Sequence, residues 1–431
     1  MKKQTKIQKK LEKLLQLHDH EKIELGLSRI RKLTSKLSNP QDKLKIISLV
    51  GSNGKGSVGQ FIFSILGDAN YSCDLFSSPS VQRINERFIF SGNEVTDEKL
   101  CKLVEEVQFV NNNDPISYFE ILTAVFFLGA SRASSDISIL ESGLFYSRDA
   151  SACIKQNLAS VVTAIGIDHL DWLPPNQRNL DRIIFEKTSK LLNSKIIVSE
   201  QSSDLIMKKI KKNLSDNLSE KYFFNDFYSY QILDKKTFLY KDKLGSLELP
   251  KPSLLGDHQV SNAATAIATI RNLENYKVKT ENIVNGLKNA KNIGRLEQLK
   301  DGRLKKLAPT NTIYLDACHN ELGAVACAKF IETLNTPVNL ILAMMENKEH
   351  KDFISKFKNK INSVQVCSIP NNPNCIEKEN LNQIVLKAGI NSEIANSIED
   401  AVKKLAQKDP ASVIMVCGSI YFLGEILNLN S

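Results

Sequence analysis

Residues 46–66 read Ile-Ile-Ser-Leu-Val-Gly-Ser-Asn-Gly-Lys-Gly-Ser-Val-Gly-Gln-Phe-Ile-Phe-Ser-Ile-Leu. Few arrangements other than strand, tight loop and helix accommodate them. The apolar run 46–50 predicts a buried strand. Gly51, Gly54 and Gly56 permit backbone angles that other residues resist, so consecutive N–H groups can turn inward around an anion. Val58, Phe61, Ile62, Ile65 and Leu66 follow helical spacing and predict a helix that starts near Ser57 and stops at Gly67. The positive end of that helix and the charge of Lys55 meet at the same point, which is the design of a phosphate cradle. The strict phosphate-loop pattern is broken, because Gly56 separates Lys55 from Ser57 and Leu49 stands where the first glycine belongs. A plain glycine-rich turn is the alternative reading; a lysine inside the turn weighs against it.

The rest of the chain bounds the setting of this loop. At 431 residues it exceeds what one core usually holds, so two domains are expected. The composition, 42% hydrophobic and 24% charged, is that of a soluble globular protein. No apolar run reaches membrane-spanning length, and the Lys-rich start lacks the apolar stretch of a signal peptide, which predicts a cytoplasmic protein with no membrane partner. The eight cysteines are scattered without a Cys-x-x-Cys pair and predict buried free thiols. The net charge of +9 suits anionic ligands, but its lysines are spread along the chain rather than gathered with aromatics, so no nucleic-acid partner is expected.

Strand-like runs at 45–50, 137–141, 159–165 and 195–199 alternate with helical stretches at 58–67, 97–110, 119–133 and 180–193. That alternation predicts an α/β fold with a phosphate-loop-type parallel sheet. The polar passage 208–250 reads as an antiparallel insertion. A second alternation, with strands near 312–316, 338–343, 363–369 and 412–417, predicts a smaller Rossmann-like α/β domain. The expected domains are 1–294, with an N-terminal helical segment, and 295–431.

A nucleoside triphosphate requires a divalent cation, and cations of that kind take oxygen ligands. The strand 137–141 ends in Glu141, at the carboxyl edge where parallel sheets bind ligands. The run 161–169 ends in Asp168-His169, which offers a second cation ligand, with Asp168 able to orient the ring. Strand 312–315 delivers Asp316-Ala317-Cys318-His319-Asn320 at its tip, a cluster that outweighs any one member as a site candidate. Lys187 on its helix reads as a solvated charge.

The order and spacing of these pieces resemble the dihydrofolate synthase/folylpolyglutamate synthase family of the Mur ligase superfamily, nearly end to end. The matching stretches begin with Ile23-Glu24-Leu25-Gly26-Leu27-Ser28-Arg29-Ile30 and Gly-Ser-Asn-Gly-Lys-Gly-Ser at 51–57, whose extra glycine is the family's own variant. They continue with Ser77-Ser78-Pro79, Phe119-Glu120 with Thr123, Leu140-Glu141-Ser142-Gly143-Leu144, Gly166-Ile167-Asp168-His169 and Glu186-Lys187. Gly256-Asp257-His258-Gln259 with Asn262, Gly294-Arg295-Leu296-Glu297, Asp316 with His319-Asn320, and Gly418-Ser419 with Tyr421 complete them.

The resemblance implies an ATP-dependent ligase that joins L-glutamate to dihydropteroate or reduced folates through an acyl phosphate, acting as a monomer on small-molecule substrates. It implies that Gly51, Asn53, Gly54, Lys55, Gly56 and Ser57 hold the ATP phosphates, with Asn262, Arg295, Asp316 and His319 closing over the nucleotide. Ser57, Ser78, Glu141 and His169 would hold magnesium. A carbamylated Lys187 would support a second Mg2+, and a monovalent cation is implied as well. Lys55, Lys187 and His319 would be catalytic. Leu25, Ser117, Arg148, Asp149 and Ala150 would contact the pterin substrate. Closure over the acyl phosphate would exclude water.

The departures lie in two places. Ser78-Pro79-Ser80 stands where the family has Ser-Pro-His, and Gly143-Leu144-Phe145-Tyr146-Ser147-Arg148-Asp149-Ala150-Ser151-Ala152 replaces Gly-Leu-Gly-Gly-Arg-Leu-Asp-Ala-Thr-Asn. Two glycines become aromatics and the arginine moves by one, which predicts a narrowed or reshaped acceptor pocket. A Mur-type ligase with a different carboxylate acceptor, or a nucleotide-binding homologue without catalysis, are the alternatives. The joint presence of Lys55, Glu141, His169, Lys187, Arg295, Asp316 and His319 speaks against the second of these.

Overall fold

A computed structural model describes residues 5–18 and 25–431. Ile23 and Glu24 of the opening motif and the first four residues lie outside them. The chain divides into two compact units. Unit 1 comprises Met1–Ile165, Asn179–Pro252 and Val260–Ala290; unit 2 comprises Gly166–Arg178, Ser253–Gln259 and Lys291–Ser431. The division thus differs from a single cut near 293–297, because the loops 166–178 and 253–259 group with the later unit.

Unit 1 is built on an eight-stranded sheet. Its strands are β1 (Ile46–Val50), β2 (Cys73–Phe76), β3 (Phe88–Phe90), β4 (Asn93–Glu94), β5 (Ile137–Glu141), β6 (Ala159–Val162), β7 (Lys195–Val198) and β8 (Lys221–Phe223). They lie in the order β4-β3-β2-β5-β1-β6-β7-β8. The pairs from β2 to β8 are parallel, and β3 and β4 add an antiparallel edge. β1 and β5 are buried at every position, as expected of central strands covered on both faces. Against one face pack the helices Ser28–Lys36, Asp97–Asn111 and Tyr118–Ala133, around an aromatic cluster in which the Phe76 and Phe126 rings lie 5.2 Å apart.

Several boundaries shift from the sequence reading. The loop helix is Lys55–Asp68; it begins two residues earlier than predicted, because Gly54 in a left-handed conformation caps it, and it runs through Gly67. The helix expected over 180–193 is Leu180–Thr188, after which the chain turns into β7. The passage 208–250 is not one antiparallel insertion. It contains the end of helix Asp204–Asn213, then β8, which joins the parallel sheet, and only then the antiparallel trio β9 (Tyr228–Ile232), β10 (Thr237–Asp242) and β11 (Gly245–Pro250). β8 has only three residues, too few for a period to show.

Unit 2 carries a six-stranded sheet of β12 (Glu297–Gln298), β13 (Thr312–Leu315), β14 (Val338–Leu342), β15 (Ser363–Val366), β16 (Ser392–Ile394) and β17 (Val413–Cys417). The order is β12-β13-β17-β14-β15-β16, parallel except for β12 at the edge. The α/β class and the parallel sheets expected from the sequence are both present. All eight cysteines are free, and all but Cys375 are buried. Among the described residues no helix is long and apolar enough to cross a membrane.

Candidate functional site

In unit 1 the carboxyl ends of four neighbouring strands, β2, β5, β1 and β6, deliver the candidate residues to one edge of the sheet. The loop after β1 is held by its backbone: Ser52 and Asn53 both donate their N–H to the Ala164 carbonyl, at 2.9 and 3.1 Å. Glycine is required twice. A Cβ on Gly51 would lie 2.0 Å from Thr163 Oγ1, and one on Gly54, at φ +91°, would lie 2.6 Å from Asn262 Oδ1. Asn262 therefore flanks the loop. Gly56 and Ser57 fall in the first turn of the helix Lys55–Asp68, and Ser57 is buried.

Lys55 curls back over the loop. Its Nζ donates to the Gly51 carbonyl at 3.0 Å and to the Ser52 carbonyl at 3.4 Å, and lies 3.9 Å from Glu141 Oε1. The other Glu141 oxygen accepts the Ser78 N–H at 3.2 Å, which fastens the end of β2 to the end of β5. The Glu141 carboxylate and the hydroxyls of Ser57 and Ser78 are hard-oxygen donors of the kind that Mg2+ takes along with phosphate and water. Among the described residues no group of three or more His, Cys, Asp or Glu is arranged so that it could hold a metal ion by itself. Lys187, predicted from its own residues as a solvated charge, is 1% exposed. Its Nζ donates to the Leu144 carbonyl at 2.8 Å and to the Gly51 carbonyl at 3.0 Å.

The divergent loop turns inward. Phe145 and Tyr146 are fully buried. Asp149 accepts the N–H of Leu144 at 2.9 Å and the Ser151 hydroxyl at 2.6 Å, which folds the loop on itself around Ala150. Arg148 reaches Glu186 through Nε at 3.2 Å; Arg182 and the Ser147 hydroxyl bind the same buried carboxylate. The Arg148 carbonyl accepts the Gly26 N–H at 3.0 Å, which brings Leu25 to the same loop. Ser117 caps the helix Tyr118–Ala133: its N–H donates to Glu120 Oε2 at 2.8 Å, and Glu120 also accepts from Arg29 Nε at 3.0 Å.

Unit 2 gathers its candidates around a buried carboxylate, Asp168. Asp168 accepts the Asn320 amide at 2.9 Å, the Lys348 ammonium at 2.8 Å and the His169 backbone N–H at 3.0 Å. His319 Nε2 lies 3.5 Å from it and His169 Nε2 3.6 Å. Burial opposes the charge, but His169, His319 and Lys348 outweigh burial and hold the carboxyl well below the usual range. His319 donates from Nδ1 to the Ala317 carbonyl at 2.9 Å. His169 sits in the left-handed region at φ +60°.

Asp316 fastens the Arg295 loop: its two oxygens accept the N–H groups of Leu296 at 2.9 Å and Cys318 at 2.8 Å. Burial pushes its carboxyl up to about 7, against the pull of Arg295 and His258. The sequence reading missed Lys348. It follows β14, next to β17 and one further from β13, so the strand-end rule applied to that strand would have pointed to it.

Two α/β units, the first with a strand, glycine loop and helix that close around a lysine, define a protein of the phosphate-loop ligase architecture. A family profile described as "Dihydrofolate synthetase, C-terminal domain" matches residues 303–429. The chain is 26% identical over 420 residues to the dihydrofolate synthase/folylpolyglutamate synthase of Bacillus subtilis, covering 93% of this chain and 94% of that protein. It is 25% identical to the Escherichia coli protein of the same name, covering 94% and 92%. Among solved structures, E. coli FolC in complex with DHPP and ADP shares the fold at a TM-score of 0.86, with 24% identity over 98% of this chain and 97% of that one. These likenesses are all to proteins of the dihydrofolate synthase/folylpolyglutamate synthase kind.

Proposed function

We propose that this chain is an ATP-dependent ligase that joins L-glutamate to dihydropteroate, to reduced folates, or to both. The observation that carries the reading is the convergence of Lys55, Glu141 and the Gly51–Gly54 loop on adjacent strand ends of a parallel sheet. Supporting it, relatives named for these two activities match the chain over more than nine-tenths of its length.

The chemistry follows from the residues. The loop N–H groups and Lys55 would cradle the ATP phosphates, with Ser57, Ser78 and Glu141 as oxygen donors to a divalent cation that neutralises phosphate charge; a related Yersinia pestis enzyme is complexed with AMPPNP and Mn ion. The acceptor carboxylate attacks the γ-phosphorus and ADP leaves, while Lys55 stabilises charge on the phosphoryl oxygens. The glutamate amine then attacks the acyl phosphate, forms the amide bond and expels phosphate. The family resemblance gives roles in the same reaction to Arg295, Asp316, His319 and His169.

The test is ADP release by purified protein with Mg2+, glutamate and either dihydropteroate or tetrahydrofolate. Turnover that requires both glutamate and one of these acceptors is expected. Nucleotide binding with no turnover on either acceptor would overturn the reading.

A further inference from the structure

We propose that Arg148 and Arg182 form a subsite for the carboxylate of a folate acceptor that does not react, which makes the pair a determinant of the choice between folates and dihydropteroate. The inference deepens the ligase reading and rests on it.

The cluster lies within unit 1 and is built on one buried carboxylate. Glu186, on the helix Leu180–Thr188, is 2% exposed, and Arg182, one turn earlier on that helix, donates to its Oε1 through Nη2. Arg148 donates to Oε2 through Nε at 3.2 Å and brings Nη2 to 3.1 Å from Oε1. The Ser147 hydroxyl donates to Oε2 as well.

The charges do not balance. Two guanidiniums stand on one carboxylate, so the group carries a net positive charge. The carboxylates next along the chain are engaged elsewhere: Asp149 accepts from Leu144 and Ser151, and Asp181 pairs with Lys209. The Arg148 and Arg182 side chains are 38% and 34% exposed, so both reach solvent while the carboxylate does not. Arg182 is braced by the ring of Phe185, whose centroid lies 5.1 Å from the guanidinium carbon. Its Nε is buried and has no acceptor among the described residues. A braced guanidinium with N–H groups to spare is preorganised for a second carboxylate.

The place of the pair points to the occupant. The loop 144–150 links the two ends of the reaction. At its start, Lys187 donates to the carbonyls of Leu144 and of Gly51 in the phosphate loop. At its end, the Arg148 carbonyl accepts the Gly26 N–H beside Leu25, and Asp149 and Ala150 follow. The family resemblance gives acceptor contacts to Leu25, Asp149 and Ala150.

The two acceptors differ in charge. Dihydropteroate carries one carboxylate, and the acyl phosphate uses it. The terminal glutamate of a folate carries two: one becomes the acyl phosphate and the other stays anionic throughout. Near the ATP phosphates that second anion is repelled unless a cation that takes no part in the transfer faces it. Arg148 and Arg182 are cations of that kind.

Calorimetric binding in the presence of Mg2+ and AMPPNP tests this. The ligands are tetrahydrofolate and tetrahydropteroyl-γ-aminobutyrate, which keeps the reacting carboxylate and lacks the other. The unaltered protein should bind tetrahydrofolate about tenfold more tightly. In Arg182→Gln that advantage should fall to about twofold, because the lost carboxylate and the lost guanidinium belong to one contact. Equal affinities in the unaltered protein, or a full advantage kept in the variant, would overturn the inference. Arg148→Gln, with the same expected loss, replaces Arg182→Gln if that variant does not fold. Tetrahydrofolate that fails to bind would also overturn it, while ADP release with dihydropteroate would keep the ligase reading. The affinities are read without turnover, so a failed ADP-release test counts against the ligase reading alone.

Discussion

The two sheet edges that carry the candidate residues are held by different means. In unit 1 the phosphate loop is fixed mainly by backbone, through N–H bonds to Ala164 and close packing of Gly51 and Gly54 against Thr163 and Asn262. In unit 2 the cluster is fixed by side chains converging on one buried carboxylate, Asp168, whose partners Asn320 and Lys348 lie 152 and 180 positions away in the chain. The backbone cradle depends on glycines that are close in sequence and tolerate few substitutions, because distant groups pack directly on them. A charge cluster depends on distant residues and on the balance between desolvation and pairing.

The sharpest way to break this comparison is Lys55→Ala. Loss of the Lys55 charge from the backbone cradle should lower the rate of ADP release by about 10²–10³-fold, with an unchanged circular dichroism spectrum. A loss below tenfold would remove the loop from the chemistry.

Next in size is Asp168→Asn, which leaves Lys348 facing an uncharged group and should destabilise unit 2 by about 3 kcal/mol, read from urea unfolding. Its pH dependence has a definite sign. The Asp168 carboxyl is held well below its unfolded value, so its contribution is complete above an unfolded pKa of about 3.9 and is lost as pH falls through the lower folded value. The variant should accordingly lose less stability than the wild type below about pH 4, and equal losses there would show that Asp168 is not the hub.

Gly51→Ala tests the cradle without touching a charge. A Cβ at 2.0 Å from Thr163 Oγ1 should cost about 2 kcal/mol. Thr163→Ala should restore part of it in the double variant, since the Thr163 backbone carbon still stands 3.2 Å away. Full additivity would mean that the two do not touch.

The smallest effect expected is that of Arg148→Gln. The Arg148 side chain is 38% exposed, so its pair with Glu186 should contribute no more than about 1 kcal/mol to stability. A rise in the KM for the acceptor beyond that loss would show that Arg148 also contacts substrate.

Legibility in the sequence follows the same division. The strands around 46–50, 137–141, 338–343 and 412–417 and the phosphate loop were readable, because apolar runs and glycine spacing are local signals. Lys348 was not, since a lysine after a strand looks like any solvated charge until Asp168 is found beside it. β8 was missed inside a polar passage because three residues carry no period. The two aromatics at 145 and 146 were visible as departures, but their burial was not, since it depends on which distant groups close around the rings.

What the sequence determined by itself is the strand, glycine loop and helix around Lys55 and the α/β alternation, for these rest on residues adjacent in the chain, whose conformational limits are intrinsic. Tertiary structure alone decided that Lys187 and Lys55 share the Gly51 carbonyl, that Arg148 joins Arg182 at the Glu186 carboxylate, and that the loop carrying Asp168 and His169 groups with unit 2. Each of these depends on which distant groups meet, and in a low-dielectric interior a charge settles only where such partners stand.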